Sequence, residues 1–315
     1  NYLANTDPGI STMSLSAPRA EYRGTVLGRP CHIVAEGAGD QGDKYVQVAI
    51  EELARLERKY SAHHPDSIVY QINQRASSGE PTPLDPETTS LFNLVSALWQ
   101  ESRHQFDPTL QLVHHCYSAG TPRKGYRSRI SQLLPGVGWN KMSIEDGAAR
   151  LISDSAILDL NTCVRPHAAD SAIRAMEKAG ATSAMVDLNS DCATIGKQPD
   201  GSNWLCGIRY PRGRSAAISR IKLNNGGYSI RGNYEQCLVI DGERFSRAVS
   251  PVDGLPVPGL LSIAVVGERA IDAFGATTVA RFKTESAALE WLSDLGMPWF
   301  AIDRELNCHG PLSAV

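Results

Sequence analysis

The densest group of potential metal ligands in the chain is His114-His115-Cys116. Adjacent residues on a strand point to opposite faces, so on a strand the two imidazoles would not share one ion. Asp187, Asp191 and Cys192 gather around an expected strand end, where oxygen ligands and structural caps both occur. Asp272 opens an expected helix, where its charge would favour the positive end of the helix dipole. The same exposed carboxylate could hold a hard cation such as Mg2+, with phosphate oxygens completing the shell. The stretch TPRKGYRSR, residues 121–129, is basic and rich in turn formers, and reads as a surface loop. Several common chemistries are excluded. There is no GxSxG elbow, no Walker A loop, no GxGxxG and no HExxH. The seven cysteines, Cys31, Cys116, Cys163, Cys192, Cys206, Cys237 and Cys308, are widely spaced without CxxC, which supports neither a zinc ribbon nor a thioredoxin motif. Their odd number leaves at least one thiol unpaired within a monomer.

The elements that must position these residues follow from composition and periodicity. The chain has 315 residues, 42% hydrophobic and 21% charged, which is ordinary globular usage. With 31 Lys+Arg against 34 Asp+Glu the formal net charge is -3, so no global field draws nucleic acid. No apolar run approaches the roughly 18 residues of a membrane span. Residues 1–20 read as an irregular lead-in without an apolar signal core. Val46, Ala49, Ile50, Leu53 and Leu56 recur at helical spacing and predict a helix over 44–61. A second helix is predicted over 84–102, with Asp85 as cap and Pro86 in the first turn. Further helices are predicted over 167–181, with Gly180 as a stop, over 271–282 and over 285–296. Strands are predicted around Val26 and His32–Val34, in 156–164 running into a loop, and in 183–190, 204–212, 219–225, 235–251, 260–267 and 299–303. Strands and helices alternate without a regular βα period, so the expected class is α+β, with mixed sheets, flanking helices and a two-lobed architecture. A single domain over 21–303 is expected, with two lobes meeting near 105–165, followed by an irregular tail over 304–315.

Several segments, in order, resemble the FAD:protein FMN transferases, the ApbE-like flavin transferases, from about Tyr22 to about Asp303. LGRP at Leu27–Pro30 resembles an early MGT turn, and LERKYSAHHPDSIVYQIN at Leu56–Asn73 resembles the segment containing PDSE and LN. QFDPTLQLV at Gln105–Val113 is similar to AFDPTVGPLV, and VGWNKM at Val137–Met142 to VGYDKV. LDLNTCVRPHAADSAI at Leu158–Ile173 resembles DLGGIAKGYAVDRAA or its Ser-Thr variant. VDLNSD, DGSNWLCGIRYPR, IRGNYEQ, FSRAVSPVDGLPV and AIDAFGATT follow in the family order. The resemblance implies an enzyme that binds FAD and Mg2+, cleaves the pyrophosphate, and attaches FMN to Thr or Ser of an acceptor protein. A cation would offset the charge of the breaking phosphoanhydride. By matching position, Gln105, Phe106 and Asp107 would contact flavin, and Asp159 would bind cofactor. Thr162 and Asp272 would hold the metal, and His63 falls where a stacking aromatic is expected. Family members are often exported, so the resemblance also implies an extracytoplasmic location.

Departures from the pattern fall at the chemistry. Asn189 and Ser190 replace paired glycines, and Arg165-Pro166 replaces Lys/Glu-Gly. Arg231 stands for Ser, Arg247 for His, and Ser250 for Asp. The metal-binding Thr of the last motif falls on Ala276, with Thr277 adjacent but turned by about 100° on a helix. Three functions are therefore expected as alternatives. The first is a divergent transferase using Thr162, Asp272 and Asp159. The second is a binding protein for a flavin nucleotide or other anion, gripped by Arg165, Arg231 and Arg247 if they converge, since Arg reads phosphate through a bidentate fork. The third is an enzyme of other chemistry, with Cys163 or His167 as nucleophile or base near Asp191 and Cys192.

Overall fold

Helical spacing becomes helices in the computed structural model, which describes residues 19–118, 121–153, 155–198, 200–209, 217–232 and 237–313. They are α1 (Gln41–Tyr60), α2 (Ile68–Gln74), α3 (Pro86–Glu101), α4 (Gln111–His114), α5 (Tyr126–Leu133), α6 (Asn161–Lys178), α7 (Ala270–Arg281) and α8 (Glu285–Asp294). Asp85 caps α3, its side chain accepting from the Thr88 N–H at 2.8 Å, with Pro86 in the first turn.

Period-2 side-chain alternation sorts the main sheet into two faces. Its strand order is Arg19–Val26, Arg29–Glu36, Ala184–Asp187, Asp191–Ile195, Gly226–Arg231, Ser262–Gly267, Trp299–Ile302, Cys308–His309. Every neighbouring pair is antiparallel. Ile33, Ala35, Val186 and Ala193 face α1 and α6 in the largest core cluster, with Leu53, Leu56, Ala169 and Ala172. Each large aliphatic side chain buried there contributes roughly 1.5–3 kcal/mol. Val34, Met185, Cys192, Ala264 and Phe300 point the other way, against Trp204, Ile221 and Leu223 of the hairpin formed by Trp204–Arg209 and Ala217–Leu223. The architecture is α+β, as expected.

The elements around the site are tied by close approaches. A Cβ on Gly227 would lie 2.5 Å from both the Ala270 nitrogen and the Cys192 carbonyl oxygen, so only glycine lets α7 meet the sheet there. Asp170 of α6 caps α7, accepting from the Ala270 and Ile271 N–H groups at 2.8 and 3.0 Å. Burial holds the Asp170 carboxyl up at about 6.

Five parts of the chain differ from expectation. Residues 156–164 make no strand beyond the single bridge Leu110–Ile157, because α6 already starts at Asn161. The Asp159 carboxylate accepts from the Asn161 N–H at 2.8 Å and turns the chain into the helix. Pro166 lies inside α6 and donates no N–H, so the Thr162 carbonyl lacks its helical partner. The basic 121–129 stretch is no plain loop: Thr121–Pro122 pairs with Tyr117–Ser118, and α5 begins at Tyr126. His114 closes the short helix α4 instead of lying on a strand. Where an irregular tail is expected, Cys308–His309 forms the edge of the main sheet. Arg19 and Ala20 already belong to the first strand, and residues 1–18 lie outside the described residues.

Candidate ligand-binding cleft

Four parts of the chain meet at one cleft: the turn after α3, the start of α6, the end of the strand Gly226–Arg231, and the last turn of α7. Asp107 builds the first part. It is buried, accepts from the Thr109 N–H and hydroxyl at 2.9 and 2.6 Å, and accepts from the Trp139 N–H at 2.7 Å. Burial raises its pKa despite these bonds. Both carboxylate oxygens thus hold the turn to Gly138-Trp139, and the Thr109 hydroxyl accepts from the Gly138 N–H at 2.9 Å. Phe106 projects beside it, edge-on to Phe274 and Phe282 at centroid distances of 6.4 and 6.3 Å.

Gly232, at φ +85, bends the chain just after Arg231 and approaches the Leu261 carbonyl where a Cβ would not fit. Arg231 is only 4% exposed and its partner Asp191 is fully buried. The Arg231 guanidinium donates to the Asp191 carboxylate oxygens at 2.7 and 3.1 Å, to the Ile230 carbonyl at 2.9 Å and to the Thr162 carbonyl at 3.4 Å. That last acceptor is the carbonyl that Pro166 leaves free. Phe274 lies under the guanidinium, 4.7 Å from its carbon to the ring centroid.

The cleft has an outer part of about 1160 Å³ and a small inner part of about 100 Å³. Thr162, Arg231, Arg247, Arg281 and His114 border both parts. Six arginines, the others being Arg19, Arg29 and Arg165, line it against three aspartates, Asp107, Asp159 and Asp187. Of these acids, Asp107 and Asp159 are engaged by backbone N–H groups, and Asp187 by the Asn189 N–H and the Tyr228 hydroxyl. Arg165 stands 3.9 Å from Asp191, beyond hydrogen-bond distance. Burial, then the neighbouring Arg231, pulls the Arg165 guanidinium down to about 10. Arg281 is likewise pulled to about 10, by burial and then by Arg231 and Arg247. Buried Nε–H groups of Arg165, Arg231 and Arg281 and the buried Thr278 hydroxyl have no protein partner. His114 is held down to about 4 by its surroundings and then by Arg281 and Arg247, so it is a neutral imidazole at pH 7.

The structure brings together Phe106, Asp107, Asp159, Thr162, Arg165, Arg231 and Arg247, with Asp191 directly beneath. Gln105, His63, Cys163, His167, Asp272 and Thr277 do not border the cleft. His63 is exposed and caps its own turn through its N–H to Ser61. Cys163 is fully buried, and burial pushes its thiol up to about 12, so almost no thiolate exists at neutral pH. His167 contacts Glu87 at 3.2 Å in an ion network with Arg55 and Lys59. Asp272 is locked in a bidentate pair with Arg269 at 2.9 and 2.7 Å. The buried Thr277 hydroxyl donates to the Phe274 carbonyl at 3.0 Å. Sequence reasoning missed Arg281 and Arg29, and it weighed His114 only as a metal ligand, a reading it argued against, and not as a neighbour of the arginines.

Mg2+ demands a near-octahedral set of oxygens. The residues present do not fit it. Of the expected ligands only Thr162 reaches the cleft, Asp272 is neutralised by Arg269, and Ala276 carries no oxygen in its side chain. Among the described residues, no three His, Cys, Asp or Glu side chains converge as a metal site.

The chain is similar in length and fold to several known proteins. It is 22% identical over 314 residues to the FAD:protein FMN transferase of Haemophilus influenzae, covering 94% of this chain and 91% of that protein. The apo flavinyl transferase ApbE of Pseudomonas stutzeri superposes with a TM-score of 0.80 at 22% identity, covering 95% of this chain and 96% of that one. The ApbE protein of Thermotoga maritima gives 0.79 at 22% identity, over 93% and 97% of the two chains. At these identities the structural likeness speaks for the fold alone. The model of the ApbE family matches residues 27–300, nearly the whole of the fold just described, and the chain belongs to the ApbE family.

Proposed function

We propose that the cleft binds a flavin nucleotide, FMN or FAD, through its phosphate groups without a divalent cation, and that this chain is a flavin-nucleotide-binding member of its family. The observation that carries this reading is that three cleft arginines, Arg165, Arg231 and Arg281, have buried Nε–H groups without a protein acceptor. Buried donors are nearly always satisfied, and a phosphate is the acceptor that suits several convergent guanidinium groups. The cleft volume exceeds the usual range of about 300–1,000 Å³ for small-molecule sites, which suits a dinucleotide-sized ligand. The Haemophilus influenzae relative carries FAD and FMN in its name, which supports a flavin as the nucleotide.

In this reading Arg247 and Arg281 take the phosphates and Phe106 offers an apolar edge. Asp107 and Asp159 shape the turns around the ligand by accepting from backbone N–H groups. Binding draws on fixed charge, so raising salt weakens it. The test is flavin fluorescence against protein concentration for the native chain and for Arg247→Ala and Arg281→Ala. A charge-assisted hydrogen bond is worth about 1.5–3 kcal/mol, so each variant weakens FMN by roughly 10- to 100-fold. Riboflavin, which lacks the phosphate, binds the native chain and both variants equally weakly. Equal affinity of the native chain for riboflavin and FMN would overturn the assignment of the arginines to phosphate.

A further inference from the structure

We infer that the Arg231 guanidinium is a built-in cation, seated in an oxygen cage that takes a divalent metal ion once that guanidinium is removed. The cage is made of two Asp191 carboxylate oxygens and the carbonyls of Ile230 and Thr162, all within 3.4 Å of guanidinium nitrogens. Every hydrogen-bond acceptor of the guanidinium is an oxygen, which is the donor type of a hard cation. Two features make the cage more than a surface ion pair. Asp191 is fully buried, and it also accepts from the Ser229 and Ser190 hydroxyls at 2.8 and 3.1 Å, which fix its orientation. Thr162 offers its carbonyl because Pro166, four residues on in α6, has no N–H to donate.

The chemical contrast is between an exchangeable ion and a permanent one. A guanidinium stays protonated across the physiological range and does not dissociate. It presents one positive charge to the cleft whatever the metal concentration or chelator. Arg165 and Arg281 line the same cleft as Arg231, and their positive charges repel a free divalent ion from the native cleft. The native chain therefore excludes Mg2+ and Mn2+ from this point. This inference concerns the protein and the metal alone, so it stands or falls separately from the nucleotide reading.

The experiment follows free Mn2+ by its electron paramagnetic resonance signal, titrated with native protein, Arg231→Lys, Arg231→Gln, Arg231→Ala and the double variant Asp191→Asn/Arg231→Gln. Native protein and Arg231→Lys leave the signal unchanged up to roughly 1 mM, the weak end of carboxylate-based sites. Arg231→Gln and Arg231→Ala each bind one Mn2+ at least about tenfold more tightly than that limit. The double variant loses the gain, which places the ion at Asp191. Circular dichroism reports the fold of each variant in parallel. Arg231→Gln keeps an amide donor for Asp191, so it guards against a collapse of Arg231→Ala. Three results would overturn the inference: stoichiometric Mn2+ on the native chain that Asp191→Asn removes, folded neutral variants that bind none, or unfolded neutral variants that Mn2+ does not refold.

Discussion

Replacing Asp191 by Asn leaves the Arg231 guanidinium buried without its counter-charge. The pair is set apart by its depth: Asp191 is fully buried and Arg231 is 4% exposed, so neither charge is relieved by water. The contact is bidentate, at 2.7 and 3.1 Å. Breaking one side of such a pair costs about 3–5 kcal/mol, because the surviving ion stays desolvated. Asn keeps one carbonyl oxygen for the Ser229 hydroxyl, which favours the lower end, about 3 kcal/mol. For a chain of this size, about 3 kcal/mol lowers the melting temperature by roughly 4–5 °C. The assay is urea denaturation and thermal melting of native, Asp191→Asn, Arg231→Met and the double variant. The double variant removes both charges, so it recovers most of the loss, and the coupling energy exceeds about 1.5 kcal/mol. A loss below about 1 kcal/mol in Asp191→Asn, in the range of an exposed pair, would refute the claim that this ion pair is desolvated.

Three other outcomes are expected. Burial holds the Asp170 carboxyl up at about 6, so between pH about 4 and 6 the folded chain binds a proton that the unfolded chain releases; the stability from this group is full below pH about 4 and lost as pH rises through 6. Asp170→Asn abolishes that decline, seen as a flatter urea midpoint between pH 4 and 7. Glu87 lies among Arg55, Lys59 and His167, and the Arg55 guanidinium leads in holding its carboxyl well below the usual range, so its contribution is present above pH about 4.5 and fades as pH falls. The site is partly open to water, so Glu87→Gln costs only about 0.5–1 kcal/mol, and 1 M salt shrinks the difference in melting. Arg281→Ala leaves no carboxylate unpaired, so it lowers FMN affinity without lowering the unfolding free energy from urea denaturation by more than about 0.5 kcal/mol.

Much of the fold was legible because its signals are local. The Asp85 cap and Pro86 fix the start of α3, and the spacing of Val46, Ala49, Leu53 and Leu56 fixes the buried face of α1. Strand reasoning failed over 156–164 because a buried apolar run reads alike in strand and helix, and Pro166 argues against a helix that forms regardless. The cleft was legible only in part. Arg165, Arg231 and Arg247 stood out as departures from the family pattern, and all three border it. Arg281 carries no such mark: in the last turn of α7 it reads as an ordinary complement to the helix dipole, and only tertiary packing sets it beside Arg231. Asp272 reads as a metal ligand until Arg269, three residues earlier, is seen to occupy both its oxygens.

The most direct test of the account is a titration of the purified protein with FAD, followed by flavin fluorescence, in EDTA and in excess Mg2+, with AMP release monitored in the same samples. The account predicts the same saturable binding in both conditions, weakened by salt, and no AMP. Binding that appears only with Mg2+, accompanied by AMP release, would contradict it and return the chain to metal-dependent transfer.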